Sequence, residues 1–174
     1  MPFSHTEFKD WSLELYKKLR PQVTVDIGPG QGTYSDLMRP HFKGEWKCVE
    51  AWAPYIPEFG LWGKYDHVIV SDIRHCDLFS IHPGPNLVII GDCLEHMPET
   101  EARYVLRRLQ AWADNLLVSV PLGEFPQDDI GGNWFECHKS TWTHEMMLDA
   151  LNCGSGTIQG KKGRVLGAYL WSAL

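Results

Sequence analysis

The chain is predicted to be an α/β protein, a largely parallel β-sheet with helices on both faces. Three observations predict this class. Apolar runs of strand length alternate along the sequence with segments of helical period. A glycine-rich turn, Gly28-Pro29-Gly30-Gln31-Gly32, stands directly between the first strand candidate and a helix. Asn86-Leu87-Val88-Ile89-Ile90 is apolar without alternation, as a strand buried on both faces must be.

Taken in order, Ser4 and Glu7 have the spacing of a capping box, and Phe3 and Phe8 that of a hydrophobic staple, ahead of a first helix. Phe8, Trp11, Leu15 and Leu19 line one face of that helix, and Pro21 stops it. Val23–Ile27 is the first strand, and a short helix over 33–38 follows the glycine turn. Strands two, three and four are expected at 46–50, 67–70 and 86–90. A helix runs over 98–113, with Glu99 and Glu101 at its positive end. Ala102, Val105, Leu106, Leu109, Trp112 and Ala113 give it a buried stripe. Strand five is expected at 116–120. Residues 121–140 form a polar, glycine-containing segment longer than ordinary connections, which marks a lid or binding loop hinged at Gly131-Gly132. A helix over 143–151 precedes two strand candidates, 157–159 and 165–171, joined by the turn Gly160-Lys161-Lys162-Gly163.

At 174 residues, 44% hydrophobic and 22% charged, the composition suits a single globular domain. No apolar run approaches the roughly 18 residues of a membrane span, and residues 1–7 lack the basic flank and apolar core of a signal peptide. A cytoplasmic protein without membrane contact is therefore expected. The five cysteines (Cys48, Cys76, Cys93, Cys137, Cys153) form no CxxC pair and are odd in number, which suits reduced thiols and excludes a zinc ribbon. The formal net charge is −6, and the basic clusters are small: Lys17-Lys18, Arg107-Arg108 and Lys161-Lys162. This balance disfavours nucleic acid, whose binding draws on lysine and arginine neutralising phosphates. The eight tryptophans serve either as core packing or as aromatic walls around a ligand.

The sharpest signal is Val25-Asp26-Ile27-Gly28-Pro29-Gly30-Gln31-Gly32-Thr33. Glycines between a strand and a helix let a ligand approach the main chain, and Glu50 ends the next strand 22 residues after Gly28, where a carboxylate can accept two ribose hydroxyls. A nucleoside ligand follows. The third glycine of the dinucleotide fingerprint would fall on Thr33, which argues against a nicotinamide dinucleotide.

In this turn, and in Ser71-Asp72-Ile73, Gly91-Asp92-Cys93-Leu94-Glu95-His96-Met97-Pro98, Ser119-Val120-Pro121 and His138-Lys139-Ser140-Thr141-Trp142-Thr143, the chain resembles the class I S-adenosylmethionine-dependent methyltransferases. The resemblance covers nearly the whole chain, and the Asp92-to-His96 element is similar to the small-molecule enzymes of the ubiquinone-biosynthesis type. It implies a Rossmann-like methyltransferase fold: a seven-stranded, mostly parallel sheet with an antiparallel last strand. Residues 1–174 would form a single methyltransferase domain, with an N-terminal helix over 1–21, a cofactor-binding half over 22–120, and a substrate loop, helix and terminal hairpin over 121–174.

Residue by residue, the resemblance places S-adenosyl-L-methionine, and its product S-adenosyl-L-homocysteine, as follows. Asp26 and the Gly28 backbone would face the methionine ammonium, with Pro29, Gly30 and Gly32 completing the loop around the cofactor. Glu50 would accept from the ribose, and Ala51 and Trp52 would flank ribose or adenine. Asp72 would accept from the adenine amino group and the Ile73 amide would donate to the ring. Asp92 and Cys93 would border the sulfonium.

Positioning of donor and acceptor can supply about 7–11 kcal/mol of such a displacement, and a general base a further factor of about 10²–10⁴. His96 and His138 are the candidate bases, with Asp92 beside them. His138 is preferred, because the segment after strand five should return over the pocket. Asp92, Glu95, His96 and His138 also resemble the ligand pattern of metal-supported O-methyltransferases of ubiquinone biosynthesis and small-RNA end methylation, in which a divalent ion binds substrate hydroxyls. Mixed oxygen and nitrogen donors suit Mg²⁺, Mn²⁺ or Zn²⁺. Asp92 stands in place of the usual first glutamate, one methylene shorter. The chain has Gly91-Asp92-Cys93-Leu94 where amino-methylating DNA enzymes carry Asn/Asp-Pro-Pro-aromatic, and no cysteine follows a proline, so base methylation is not expected.

The expected activity is methyl transfer to an oxygen, rather than a nitrogen, of a small molecule. The alternatives are a metal-assisted RNA 2′-O-methyltransferase and a non-catalytic S-adenosylmethionine-binding subunit. Few residues remain outside the cofactor core to recognise an acceptor, so an exposed acceptor site, or one completed by a homodimer or partner subunit, is expected.

Overall fold

The structure, a computed structural model, describes residues 5–174. Seven strands form one sheet: β1 (Val23–Ile27), β2 (Glu45–Glu50), β3 (His67–Val70), β4 (Leu87–Gly91), β5 (Asn115–Pro121), β6 (Gly156–Lys162) and β7 (Leu166–Ala173). Their spatial order is β3-β2-β1-β4-β5-β7-β6. The first five run parallel, and β7 lies antiparallel between β5 and β6. The strand order reverses between β1 and β4, so connections leave that point in opposite directions and a crevice opens above the carboxyl ends of the strands.

Side chains alternate across each strand, which divides the apolar run of β4 between two cores. Leu87 and Ile89 face α1 (Lys9–Leu19), α2 (Thr33–Met38) and α4 (Leu61–Lys64), packing with Tyr16, Met38, Trp46 and Leu61. Val88 and Ile90 face α5 (Leu78–Ile81), α6 (Glu99–Gln110) and α7 (His144–Leu151), packing with Val105, Leu106, Leu109, Met147 and Leu151. Helices therefore cover both faces, as expected. A further short helix, α3 (Tyr55–Glu58), follows β2. Among the described residues no helix is long and apolar enough to cross a membrane.

Several local expectations are corrected. Phe3 and Ser4, half of the staple and of the capping box, lie outside the described residues. Glu7 does not close a capping box; its carboxylate accepts the backbone N–H groups of Arg164 (2.9 Å), Val165 (3.0 Å) and Leu166 (2.7 Å), far away in sequence. Helix α1 opens after Phe8, at φ 63° and without a side-chain cap. Its buried face is Lys9, Ser12, Leu15 and Tyr16, with Trp11 and Leu19 half-buried at the edge. Helix α6 ends at Gln110, short of Ala113. The terminal turn spans 163–165, because Gly160, Lys161 and Lys162 continue β6 and pair with Tyr169, Ala168 and Gly167. β6 is an exposed edge strand, so its lysines stay solvated there, while the Glu7 carboxylate collects the amides of the real turn. Helices α3, α4 and α5, each four residues long, are too short to leave a periodic signal.

Candidate functional site

The crevice above β1, β2 and β4 holds a cavity of about 460 Å³. Its floor is the glycine turn. Gly28 takes φ 63°, and its N–H donates to the Val49 carbonyl (2.9 Å), turning the chain sharply off β1. A Cβ there would also meet the Cys93 Sγ at 3.0 Å, so the position demands glycine twice over. Pro29 and Gly30 line the cavity. Gly32 does not; it precedes α2 at φ 80°, packed under the Lys64 side chain.

Two buried carboxylates flank the turn. Asp26, 1% exposed at the end of β1, accepts from the Tyr65 hydroxyl (2.6 Å). Burial raises its pKa to about 6, against the opposing effects of that hydrogen bond and the Lys9 charge. Glu50, 5% exposed at the end of β2, accepts the Trp52 amide (2.7 Å) and is pushed by burial to about 7. Ala51 lines the cavity beside it, whereas Trp52 is held outside the lining, its amide spent on Glu50.

After β3, Asp72 and Ile73 line the cavity. Both oxygens of Asp72 are already engaged: Oδ1 accepts the Arg74 amide (2.9 Å) and Nε, and Oδ2 accepts Nε and a terminal nitrogen (2.6 Å). Burial would raise the Asp72 pKa, but the Arg74 guanidinium outweighs it and holds the carboxyl low. Arg74 also reaches Glu101 (2.7 Å). An adenine amino group at this wall would meet a carboxylate already engaged by three N–H donors of Arg74, with the Ile73 amide and the Arg74 guanidinium beside it.

The opposite end of the cavity is built from two segments distant in sequence. Leu94–His96 forms a single 3-10 turn after β4, and residues 121–140 return over it. The Glu95 carbonyl accepts the amides of Lys139 (2.7 Å) and Ser140 (3.1 Å), and the His138 amide donates to Gln127 (2.9 Å), which pins His138 over the turn. The rings of His96 and His138 lie 4.8 Å apart, edge to face. Glu95, His96 and His138 each bring a ligand atom within 4.8 Å of the others. Asp92, at φ 49°, stays outside that cluster, with Oδ1 accepting from Ser119 Oγ (3.3 Å) and Oδ2 unpartnered. Glu95 is 3% exposed with Oε2 unpartnered, and burial raises its pKa far above the usual range. Burial lowers His96 to about 4 and also lowers His138, so both imidazoles are neutral at pH 7. His138 Nδ1 faces the Phe125 carbonyl, which makes Nδ1 the N–H donor and leaves the Nε2 lone pair free.

The structure thus gathers Asp26, Gly28, Pro29, Gly30, Glu50, Ala51, Asp72, Ile73, Asp92, Cys93, Glu95, His96 and His138 around one cavity and leaves out Gly32 and Trp52. Sequence reasoning missed Tyr34, whose ring lies so close to Gly91 that a Cβ there would overlap it and whose hydroxyl pairs with Ser119 Oγ (3.0 Å). It also missed Arg74, Tyr55 and Glu136. Glu136 is 9% exposed and raised in pKa by burial. Arg74, two residues beyond Asp72, was the one with a local signal. The segment 121–140 is already folded against the cavity, with Asn133 buried and its side chain accepting the Phe135 amide (3.0 Å).

No family model matches the chain, and no curated protein matches it. Solved structures do. An O-methyltransferase family protein from Burkholderia thailandensis superposes with a TM-score of 0.67 at 12% identity, over 95% of this chain and 56% of that one. The N-terminal domain of EvdMO1 with S-adenosylhomocysteine bound gives 0.73 at 12% identity, over 98% and 83%. The small RNA methyltransferase HEN1 gives 0.74 at 15% identity, over 94% of this chain and 24% of that one. The chain therefore spans little more than half of the first and about a quarter of the last. The fold of this chain is that of the S-adenosylmethionine-dependent methyltransferases.

Proposed function

We propose that the chain is an S-adenosylmethionine-dependent methyltransferase that methylates an oxygen of a small molecule. The observation that carries this is one cavity with a glycine turn and the Asp26 and Glu50 carboxylates toward one end, the Glu95, His96 and His138 side chains toward the other, and Asp92 between them. Bound there, S-adenosylmethionine supplies a methyl group already activated by its sulfonium. Glu50 accepts from the ribose hydroxyls, Asp26 and the Gly28–Gly30 backbone surround the amino-acid end, and Ile73 borders the adenine. The acceptor oxygen bonds to the methyl carbon as the carbon–sulfur bond breaks with its electron pair on sulfur, and the hydroxyl proton passes to Nε2 of His138. Burial keeps that imidazole neutral, hence basic, at pH 7.

The acceptor end favours a neutral or cationic small molecule. Asp92 and Glu95 stand near it, Glu124 and Glu136 also line the cavity, and Arg74 is the only lysine or arginine among the described lining residues, tied to Asp72 and Glu101. A phosphodiester backbone entering here would meet carboxylates without free cations among the described lining residues, which argues against RNA.

The Glu95–His96–His138 cluster favours a second reading of the same chemistry, with a divalent cation. The residues fit one: Glu95 Oε2 and His96 Nδ1 are buried without partners, and mixed oxygen and nitrogen donors suit Mg²⁺, Mn²⁺ or Zn²⁺. A cation there would supply positive charge against the acceptor oxygen. His138 would then serve as a ligand, oriented by Phe125, rather than as the base. Methyl transfer that is lost in EDTA and restored by added metal supports the second reading; EDTA-insensitive transfer removes it. Transfer of labelled methyl from S-adenosylmethionine to hydroxylated small molecules, against RNA oligomers, tests the acceptor class. RNA as the preferred acceptor would overturn it.

A further inference from the structure

We propose that Lys9 is the cation that receives the carboxylate of the cofactor's amino-acid end, an inference that rests on the S-adenosylmethionine reading above. Lys9 opens helix α1, yet it is only 9% exposed and its Nζ has no hydrogen-bond partner among the described residues. A buried ammonium left without partners is costly, so a lysine kept in this state calls for a ligand group. The Nζ lies 3.9 Å over the ring of Tyr34, which lines the cavity. Burial lowers its pKa while the charges of Asp92 and Asp26, two further lining residues, hold it up. The ammonium thus stands one layer behind the wall at the end where an amino acid would sit. Its flexible four-carbon stem lets it swing from the ring face to a carboxylate.

The charges alternate in that arrangement. A zwitterion brings an ammonium for Asp26 and a carboxylate for Lys9, so the buried end gains two opposite-charge contacts without a change in net charge. Arg74, the other cation at the cavity, is taken by Asp72 and Glu101 beside Ile73, away from this end. The chain also fixes the place from which Lys9 projects. Two residues earlier, Glu7 is fastened to the amides of residues 164–166, and His5, Val165 and Leu166 line the cavity.

The test is calorimetric titration of the wild-type chain, Lys9→Met and Lys9→Arg with S-adenosylhomocysteine and with 5′-methylthioadenosine, which lacks the amino-acid carboxylate and ammonium. Lys9→Met is expected to weaken S-adenosylhomocysteine by about 10- to 100-fold, the value of one charge-assisted hydrogen bond. 5′-Methylthioadenosine should stay within about twofold, and Lys9→Arg should recover most of the loss. Unchanged S-adenosylhomocysteine affinity, or equal weakening of both nucleosides, overturns the proposal. If Lys9→Met does not fold, decarboxylated S-adenosylhomocysteine on the wild-type chain makes the same cut from the ligand side, and affinity equal to that of the intact ligand overturns the assignment. A wild-type chain that binds neither nucleoside overturns the methyltransferase reading itself, a result distinct from loss of the lysine contact.

Discussion

The two ends of the cavity are built by different means. At the end proposed for the nucleoside, Asp26, Gly28, Glu50 and Ile73 sit at or just beyond the ends of adjacent parallel strands, so the hydrogen-bond ladder of the sheet sets their spacing. At the acceptor end, Glu95 and His96 sit on a single 3-10 turn, and His138 is brought to them by a long segment whose amides donate to the Glu95 and Gln127 carbonyls. The first end is fixed by pairing within one sheet, the second by a few loop contacts across some forty residues of sequence. A sheet edge of this kind reads one ligand, whereas loops can be rebuilt for many acceptors without disturbing it. The comparison predicts that substitutions at one end leave the other end's readout unchanged.

The largest effect is expected from His138→Ala, which should lower kcat by about 10²–10⁴-fold while leaving the affinity for S-adenosylhomocysteine unchanged. A parallel loss of affinity would mean the ends are not separate. Next, Glu50→Ala removes the carboxylate proposed to meet the ribose and should weaken S-adenosylhomocysteine by about 10²–10³-fold in calorimetry. An unchanged dissociation constant would refute the ribose assignment.

A smaller effect follows from pH. Burial pushes the Glu50 and Asp26 carboxyls up to about 7 and about 6, above the ordinary carboxylate range. In the proposed binding mode the ligand takes their ionised forms, so affinity should fall as pH drops through those values. The loss between pH 7.5 and 5.5 should be about 30- to 100-fold, and Glu50→Gln should flatten most of the slope. An affinity that rises in acid would contradict the assignment. The smallest effect concerns stability. Gly91→Ala drives a methyl group into the Tyr34 ring, which is held by Ser119, and should cost about 1–3 kcal/mol in urea unfolding; a neutral substitution would show that Tyr34 moves freely.

The same contrast explains what the sequence made legible. β1 and β3 stand at their expected bounds, and the apolar run of β4 correctly indicated burial on both faces. The glycine turn, Asp26 and Glu50 were readable because strand, turn and acid recur in fixed register. His138 was readable only as a residue on a returning loop, and its closeness to His96 comes from hydrogen bonds between segments that no periodicity encodes. Glu7 shows the limit most clearly. Its spacing from Ser4 suggests a local cap, yet its carboxylate closes a contact with residues 164–166, where three amides pointing at one anion outweigh a single amide at a helix end. Asp72 lines the cavity, but its pairing with Arg74 was not expected, because only the fold shows that the guanidinium turns back onto it.

The central claim is that the glycine turn and Glu50 hold S-adenosylmethionine rather than a nicotinamide dinucleotide. The most direct measurement is a pair of equilibrium titrations of the wild-type chain at pH 7.5, one with S-adenosylhomocysteine by calorimetry and one with NADH by fluorescence. One equivalent of S-adenosylhomocysteine bound, with no NADH binding, is the predicted result. NADH bound in its place would contradict it.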